Sequence, residues 1–297
     1  MEPVVIALPG NEALAARLAA RLGVEPVTCQ VHRFPDGEDY VRLPVDVSGR
    51  AVVLACTLHQ PSERALGMLF AAETARELGA TAVGLVSPYL GYMRQDHRFH
   101  SGEGITSAYF ARMVSTSVDW LITVDPHLHR WNSLGQIYSI PTRVVPAAPD
   151  IASWLRASID RPYLIGPDAE SEQWVGAVAR VSEVSHTVLE KTRRGDRDVQ
   201  VTPPDVLQLD GRTPVILDDI ISTAATMIET VRHLTAAGAP APLCIGVHAV
   251  FAGDAYDELV ASGVRGVVTC NTIEHPSNGI DVLDRVAAAT AEMITAA

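Results

Sequence analysis

Residues 215–230, VILDDIISTAATMIET, constrain the architecture of this chain more than any other stretch. Val215, Ile216 and Leu217 are consecutive apolar residues, the pattern of a strand buried on both faces, as parallel sheets require. The run enters the acid pair Asp218 and Asp219, so both carboxylates are expected at the strand's carboxyl end. Ser222, Thr223, Ala224, Ala225 and Thr226 then form a turn of small and hydroxylated residues, and Met227, Val231 and Leu234 follow at helical spacing. Free N–H groups at a helix start favour a phosphate. Acids beside such a cradle have a use when the ligand also carries hydroxyls in need of acceptors, and a ribose fits that description. An ordinary strand and helix joined by a polar turn would look similar, so the rest of the chain must decide.

The same alternation runs from end to end. Residues 4–8 (VVIAL) are a strand, Pro9 and Gly10 turn it, and Asn11 stands as N-cap of a helix over 13–22. Further strands are predicted at 27–31, 51–55, 82–87 and 120–124, with helices at 62–78 and 107–114. A proline-rich connection at 141–149 is a natural domain boundary. Beyond it come strands at 163–165, 187–189, 244–249 and 264–269, and an alanine-rich helix from Val282. The fold class is therefore α/β, with two similar domains, 1–143 and 144–297, each a mainly parallel sheet flanked by helices. The final helix is free to pack back on the first domain.

Composition narrows the function classes. With 47% hydrophobic and 20% charged residues and no long apolar run, the chain is a soluble globular protein without a membrane span or signal peptide, expected in the cytoplasm. A net charge of −12 opposes broad binding to nucleic acid or an anionic membrane. Cys29, Cys56, Cys244 and Cys270 lie singly among apolar neighbours, without metal or redox spacing, and read as buried thiols.

Five other segments carry possible chemistry. Pro35, Asp36 and Gly37 mark a turn, and HRFPDGEDY taken alone is a hairpin; in a functional reading Phe34 stacks a base while Asp36 and Glu38 accept hydrogen bonds. In SPYLGYMRQDHRF, Arg94, Gln95, Asp96, His97 and Arg98 follow a strand end among aromatics, which suits a nucleotide phosphate better than a solvated turn. His127 and His129 of VDPHLHR share a face if the backbone is extended, yet no third ligand has zinc spacing. Asp168 in GPDAES either caps the next helix or serves a ligand. KTRRGDRD, with Lys191, Arg193, Arg194 and Arg197, is by default a solvated loop, though a mobile basic loop can also close over a phosphoryl group.

In their order along the chain, RFPDGE, YMRQDHRF, VDPHLH, GPDAES, EKTRR and VILDDIISTAAT resemble the ribose-phosphate pyrophosphokinase family over nearly the whole length, closer to its archaeal-type members. The opening stretch by itself resembles the phosphoribosyl-diphosphate loop of type I phosphoribosyltransferase-like proteins, and both domains are expected to have that fold. The resemblance implies transfer of the β,γ-diphosphoryl group of Mg-ATP to the C1 hydroxyl of ribose 5-phosphate, leaving AMP. It implies that Phe34, Asp36, Gly37 and Glu38 approach adenosine from a neighbouring subunit of a homo-oligomer, and that Arg94, Gln95 and His127 serve ATP. His127 and Asp168 match positions near magnesium, Lys191 and Arg193 the catalytic pair. Asp218 and Asp219 meet the ribose hydroxyls, and Ser222, Thr223, Ala224, Ala225 and Thr226 surround the 5-phosphate. Where many members have a glycine in this loop, this chain has Ala224 and Ala225. A catalytically silent regulatory relative is the alternative this departure leaves open, and a phosphoribosyltransferase a more distant one.

Overall fold

The computed structural model describes residues 2–189, 191–194, 198–201, 209 and 211–296, the segments 191–194 and 198–201 by backbone alone. Contacts divide the chain into two compact units, Met1–Val145 with Leu283–Ala297, and Pro146–Val282.

In the first unit, β1 (Val4–Ala7), β2 (Pro26–Thr28), β5 (Ala51–Ala55), β6 (Ala82–Val86), β7 (Trp120–Val124) and β8 (Thr142–Val145) form a parallel sheet in the order β2-β1-β5-β6-β7-β8. Between them run β3 (Gln30–Arg33), β4 (Asp39–Arg42) and the helices α1 (Glu12–Leu22), α2 (Pro61–Glu77) and α3 (Thr106–Ser117). β1, β6 and β7 are buried at every position, which explains their apolar sequence, broken only by Thr123 of β7. Gly84 is required by close approach: a Cβ there would meet the Trp120 indole, its neighbour on β7, at 2.0 Å.

The second unit has the same plan. α4 (Ala148–Ser158) leads to β9 (Pro162–Gly166), α5 (Glu172–Ser182) and β10 (His186–Val188); the hairpin β11 (Lys191–Arg194) and β12 (Asp198–Val201) follows. Then come β13 (Thr213–Ile221), α6 (Ala225–Ala236), β14 (Leu243–Ala249), α7 (Ala255–Ala261), β15 (Gly266–Cys270) and β16 (Asn278–Ile280). The main sheet is parallel, ordered β10-β9-β13-β14-β15-β16. The last helix, α8 (Leu283–Ala296), belongs to the first unit, where Asp284 pairs with Arg21 and Glu292 with Arg143 at 2.7 Å. The α/β class with two parallel, helix-flanked sheets is as the sequence pattern predicts.

Several local expectations are corrected. The predicted strand 27–31 is two strands: β2 joins the sheet, and β3 turns away to pair antiparallel with β4. Residues 141–149 are more than a connection, holding edge strand β8 and the start of α4. Asn11 precedes α1 but its side chain does not cap the helix; Oδ1 accepts the Thr57 N–H at 2.7 Å, tying the end of β1 to the end of β5. All four cysteines are buried and unbridged, with burial pushing the Cys56 and Cys244 thiols up to about 12.

Candidate functional site

In each sheet the chain starts in the interior, adds one strand on one side and the rest on the other, which makes a switch point between β1 and β5 and another between β9 and β13. Crevices beyond the carboxyl ends of strands at such points are the usual ligand sites of open α/β sheets.

At the second switch point, β13 outruns its neighbour. It pairs with β9 only from Thr213 to Ile216 but with β14 as far as Ile221. Asp218 and Asp219 are therefore inside the strand rather than at its end, a correction to the sequence expectation, in the part that β9 no longer covers. The strand persists because β14 continues to supply hydrogen-bond partners. Asp219 is only 4% exposed, and its N–H donates to Asp218 Oδ1 at 3.0 Å. Burial, then the charge of Asp219, then that of Asp168 push Asp218 up to about 8. The three acids thus converge electrostatically. Asp168 also caps the turn after β9, its Oδ1 accepting the Glu170 N–H at 3.1 Å.

Beyond Ile221 the chain bends through Ser222, Thr223 and Ala224 into α6, and a cup of about 160 Å³ is lined by Asp218 and residues 220–227. Ala224 has φ 56° and ψ 3°, the left-handed region in which an alanine costs about 1–2 kcal/mol. Its methyl is nevertheless useful, being buried in the unit's core beside Met227 and Ile221. Among the described residues, the N–H groups of Thr223, Ala224, Ala225 and Thr226 make no hydrogen bond. Such a row of N–H donors at a helix start can take a phosphate, and the acids beside it can accept from the hydroxyls of the group that carries that phosphate.

The first-unit candidates occupy three places. Phe34, Asp36, Gly37 and Glu38 form the tip of the β3–β4 hairpin, closed by Phe34 N–H to Glu38 O at 2.8 Å and Gly37 N–H to Phe34 O at 2.9 Å, with Gly37 at φ 94°. The Phe34 ring is 44% exposed and, among the described residues, meets the rings of its hairpin neighbours His32 and Tyr40 edge-on. Among the described residues, no hydrogen bond or ring contact joins that tip to Arg94 or Gln95. Arg94 and Gln95 follow β6; His127 follows β7, its ring stacked on that of His129 at 6.2 Å.

The sequence names Asp96 only within the run 94–98 and gives it no role of its own, yet it joins those two loops. Buried at 5% exposure, it accepts the Arg130 N–H at 3.0 Å and lies 3.2 Å from His97 Nδ1. Burial pulls its carboxyl upward, but the His97 and Arg130 hydrogen bonds and the Arg130 charge together hold it below the usual range. The available signal was an acid within a basic run, repeated against HLHR after the next strand.

Lys191 and Arg193 lie on β11, antiparallel to β12, and their side chains lie outside the described part of the structure. No group of three or more His, Cys, Asp and Glu side chains is arranged to hold a metal among the described residues. No helix among them is long and apolar enough to cross a membrane.

Residues 3–117 match the N-terminal domain of ribose phosphate pyrophosphokinase, and residues 133–284 match the phosphoribosyl transferase domain. The ribose-phosphate pyrophosphokinase of Methanopyrus kandleri is 34% identical, over 96% of this chain and 98% of its own length. This chain belongs to the ribose-phosphate pyrophosphokinase family. Proteins of that name in Methanosarcina mazei and Halobacterium salinarum are 32% and 34% identical, over 96% and 89% of this chain and 94% and 92% of their own lengths. The fold is that of the phosphoribosylpyrophosphate synthetase of Mycobacterium smegmatis, with a TM-score of 0.84, 21% identity and coverage of 100% of this chain and 98% of that one. Membership of the ribose-phosphate pyrophosphokinase family makes the protein an enzyme, a transferase, and sets aside the reading of the opening stretch as an ordinary strand and helix.

Proposed function

We propose that the enzyme transfers the β,γ-diphosphoryl group of ATP to the C1 hydroxyl of ribose 5-phosphate, giving 5-phosphoribosyl 1-diphosphate and AMP. One observation carries the reading: the half-buried Asp218, the buried Asp219 beside it and a cup of N–H donors with no partner among the described residues meet at the carboxyl end of the second unit's sheet. In this assignment the N–H groups of 222–226 hold the 5-phosphate and Asp218 and Asp219 accept from the ribose hydroxyls. The first unit binds ATP through Arg94, Gln95 and His127, with Phe34, Asp36, Gly37 and Glu38 supplied by a neighbouring copy in a homo-oligomer. The 44% exposure of the Phe34 ring, which among the described residues has ring contacts only within its own hairpin, supports that last point.

Phosphoryl transfer asks the protein for in-line placement and charge neutralisation rather than covalent chemistry. Lys191 and Arg193 are assigned the second task. Asp168, whose charge acts on Asp218, fits a magnesium ion that would keep most of its coordination in water and phosphate oxygens, so a dedicated protein cage is not required; His127 is assigned to magnesium as well. When bound it neutralises charge on the transferring phosphates.

Product analysis tests the whole reading. ATP and ribose 5-phosphate should yield AMP in equal measure with phosphoribosyl diphosphate. Diphosphate release from phosphoribosyl diphosphate and a base would establish a phosphoribosyltransferase instead, and neither reaction would establish the silent relative.

A further inference from the structure

The 222–226 loop lacks the devices that ordinarily fix a phosphate loop. Its left-handed position is an alanine, and no side chain caps α6. What holds it comes from the segment after β14. The Phe251 N–H donates to Ile221 O at 2.9 Å, and the Ala252 N–H donates to Ser222 O at 3.1 Å. In a trans peptide the carbonyl and the N–H point in opposite directions. Drawing these two carbonyls toward residues 251 and 252 turns the N–H groups of Ser222 and Thr223 the other way, and both residues line the cup.

Phe251 is itself clamped. Its ring packs on the core that contains Ala224 and lies 5.2 Å from the Tyr256 ring and 4.6 Å from the His275 ring; Tyr256 and His275 are 4.8 Å apart. His275 is held by Ser277, whose Oγ is 2.8 Å from Nδ1, and by Asn278, whose Oδ1 accepts the His275 N–H at 3.1 Å. The β15–β16 loop is thereby linked through three rings to the backbone of the phosphate loop.

We propose that Phe251 is a positioning residue for the sugar-phosphate site: its clamped ring fixes the backbone N–H groups that aim the 222–226 loop at the phosphate. The inference rests on the reading of that loop as the ribose 5-phosphate site. Besides these two hydrogen bonds the strained loop is anchored, among the described residues, by the buried Ala224 methyl and the Ile228 N–H on Ala224 O, so loss of the ring loosens it, weakens sugar-phosphate binding and leaves the diphosphoryl donor untouched.

The experiment compares Phe251→Ala and Phe251→Tyr with the parent enzyme. In Phe251→Ala the KM for ribose 5-phosphate should rise about fivefold to tenfold, the worth of about one hydrogen bond, while kcat and the KM for ATP change by less than about twofold. Phe251→Tyr should restore the parent KM. Amide exchange within 222–226 should quicken in Phe251→Ala and not in Phe251→Tyr. An unchanged KM with unchanged exchange overturns the proposal, as does a loss confined to kcat. If Phe251→Ala does not fold, Tyr256→Leu, which removes one clamping ring, is held to the same criteria. Parent enzyme that makes no AMP defeats the functional reading alone; amide exchange in 222–226, quickened or unchanged, then upholds or overturns the positioning role.

Discussion

Asp218 should make the ligand-free enzyme less stable as pH rises, against the usual behaviour of a carboxylate in a salt bridge. Its pKa is raised from 3.8 to about 8 by burial and by the charges of Asp219 and Asp168. Between those values the folded state holds up to one more proton than the unfolded chain, so unfolding free energy falls as pH rises. One proton amounts to about 1.4 kcal/mol per pH unit, so the ceiling from pH 5 to pH 8 is about 4 kcal/mol. Asp218→Asn keeps the shape, removes the titration and should flatten this component. The assay is the unfolding midpoint of both proteins at pH 5, 6, 7 and 8 with chelator present and both substrates absent, with 1 kcal/mol worth about 2–4 °C for a chain unit of this size. His59 shifts the opposite way, lowered to about 4 by burial and the Arg64 charge, but it is present in both proteins and cancels in the difference. The variant should gain on the parent steadily from pH 5 to pH 8, and parallel curves would refute the convergence of the three acids.

Lys191→Ala should lower kcat by about a hundredfold or more with little change in either KM if the lysine acts mainly in the transition state; an unchanged turnover number removes it from the mechanism. Ala224→Gly trades about 1–2 kcal/mol of relieved strain against a buried methyl and added chain entropy, together about 1.5 kcal/mol, and should leave the denaturation midpoint nearly unmoved. Ala224→Val should cost more than about 2 kcal/mol, and a tolerated valine would show that the position is not left-handed. Asp96→Ala strips the acceptor from the Arg130 N–H and should destabilise by about 2 kcal/mol in chemical denaturation while raising the KM for ATP; unaltered stability would show that Asp96 does not brace the two loops. Gly84→Ala should cost about 1–3 kcal/mol or abolish soluble expression, because the added methyl would overlap the buried Trp120 ring at 2.0 Å.

Apolar runs and their punctuation made the two parallel sheets legible from the chain alone, because a strand covered on both faces is apolar nearly throughout, as β1 and β6 are and β7 is apart from Thr123. The turn chemistry of PDG likewise announced the hairpin that the structure contains. Placement within elements was less legible. Asp218 and Asp219 look like residues that end a strand, but β14 supplies partners as far as Ile221 and the strand runs through them. Asn11 has the residue type of a cap, yet a better donor waits at Thr57, brought near only when β5 pairs with β1.

What the order of residues determined by itself was the class of fold, the motifs and the family, since these depend on period, spacing and residue type within short windows. Tertiary structure alone decided how those residues behave: that Asp218 is held toward its protonated form, that Asp96 joins two loops, and that the Phe251 and Ala252 N–H groups bond the backbone at the start of the 222–226 loop. Each of those outcomes depends on charges, donors or rings supplied by segments remote along the chain, and no local pattern encodes which of them will meet.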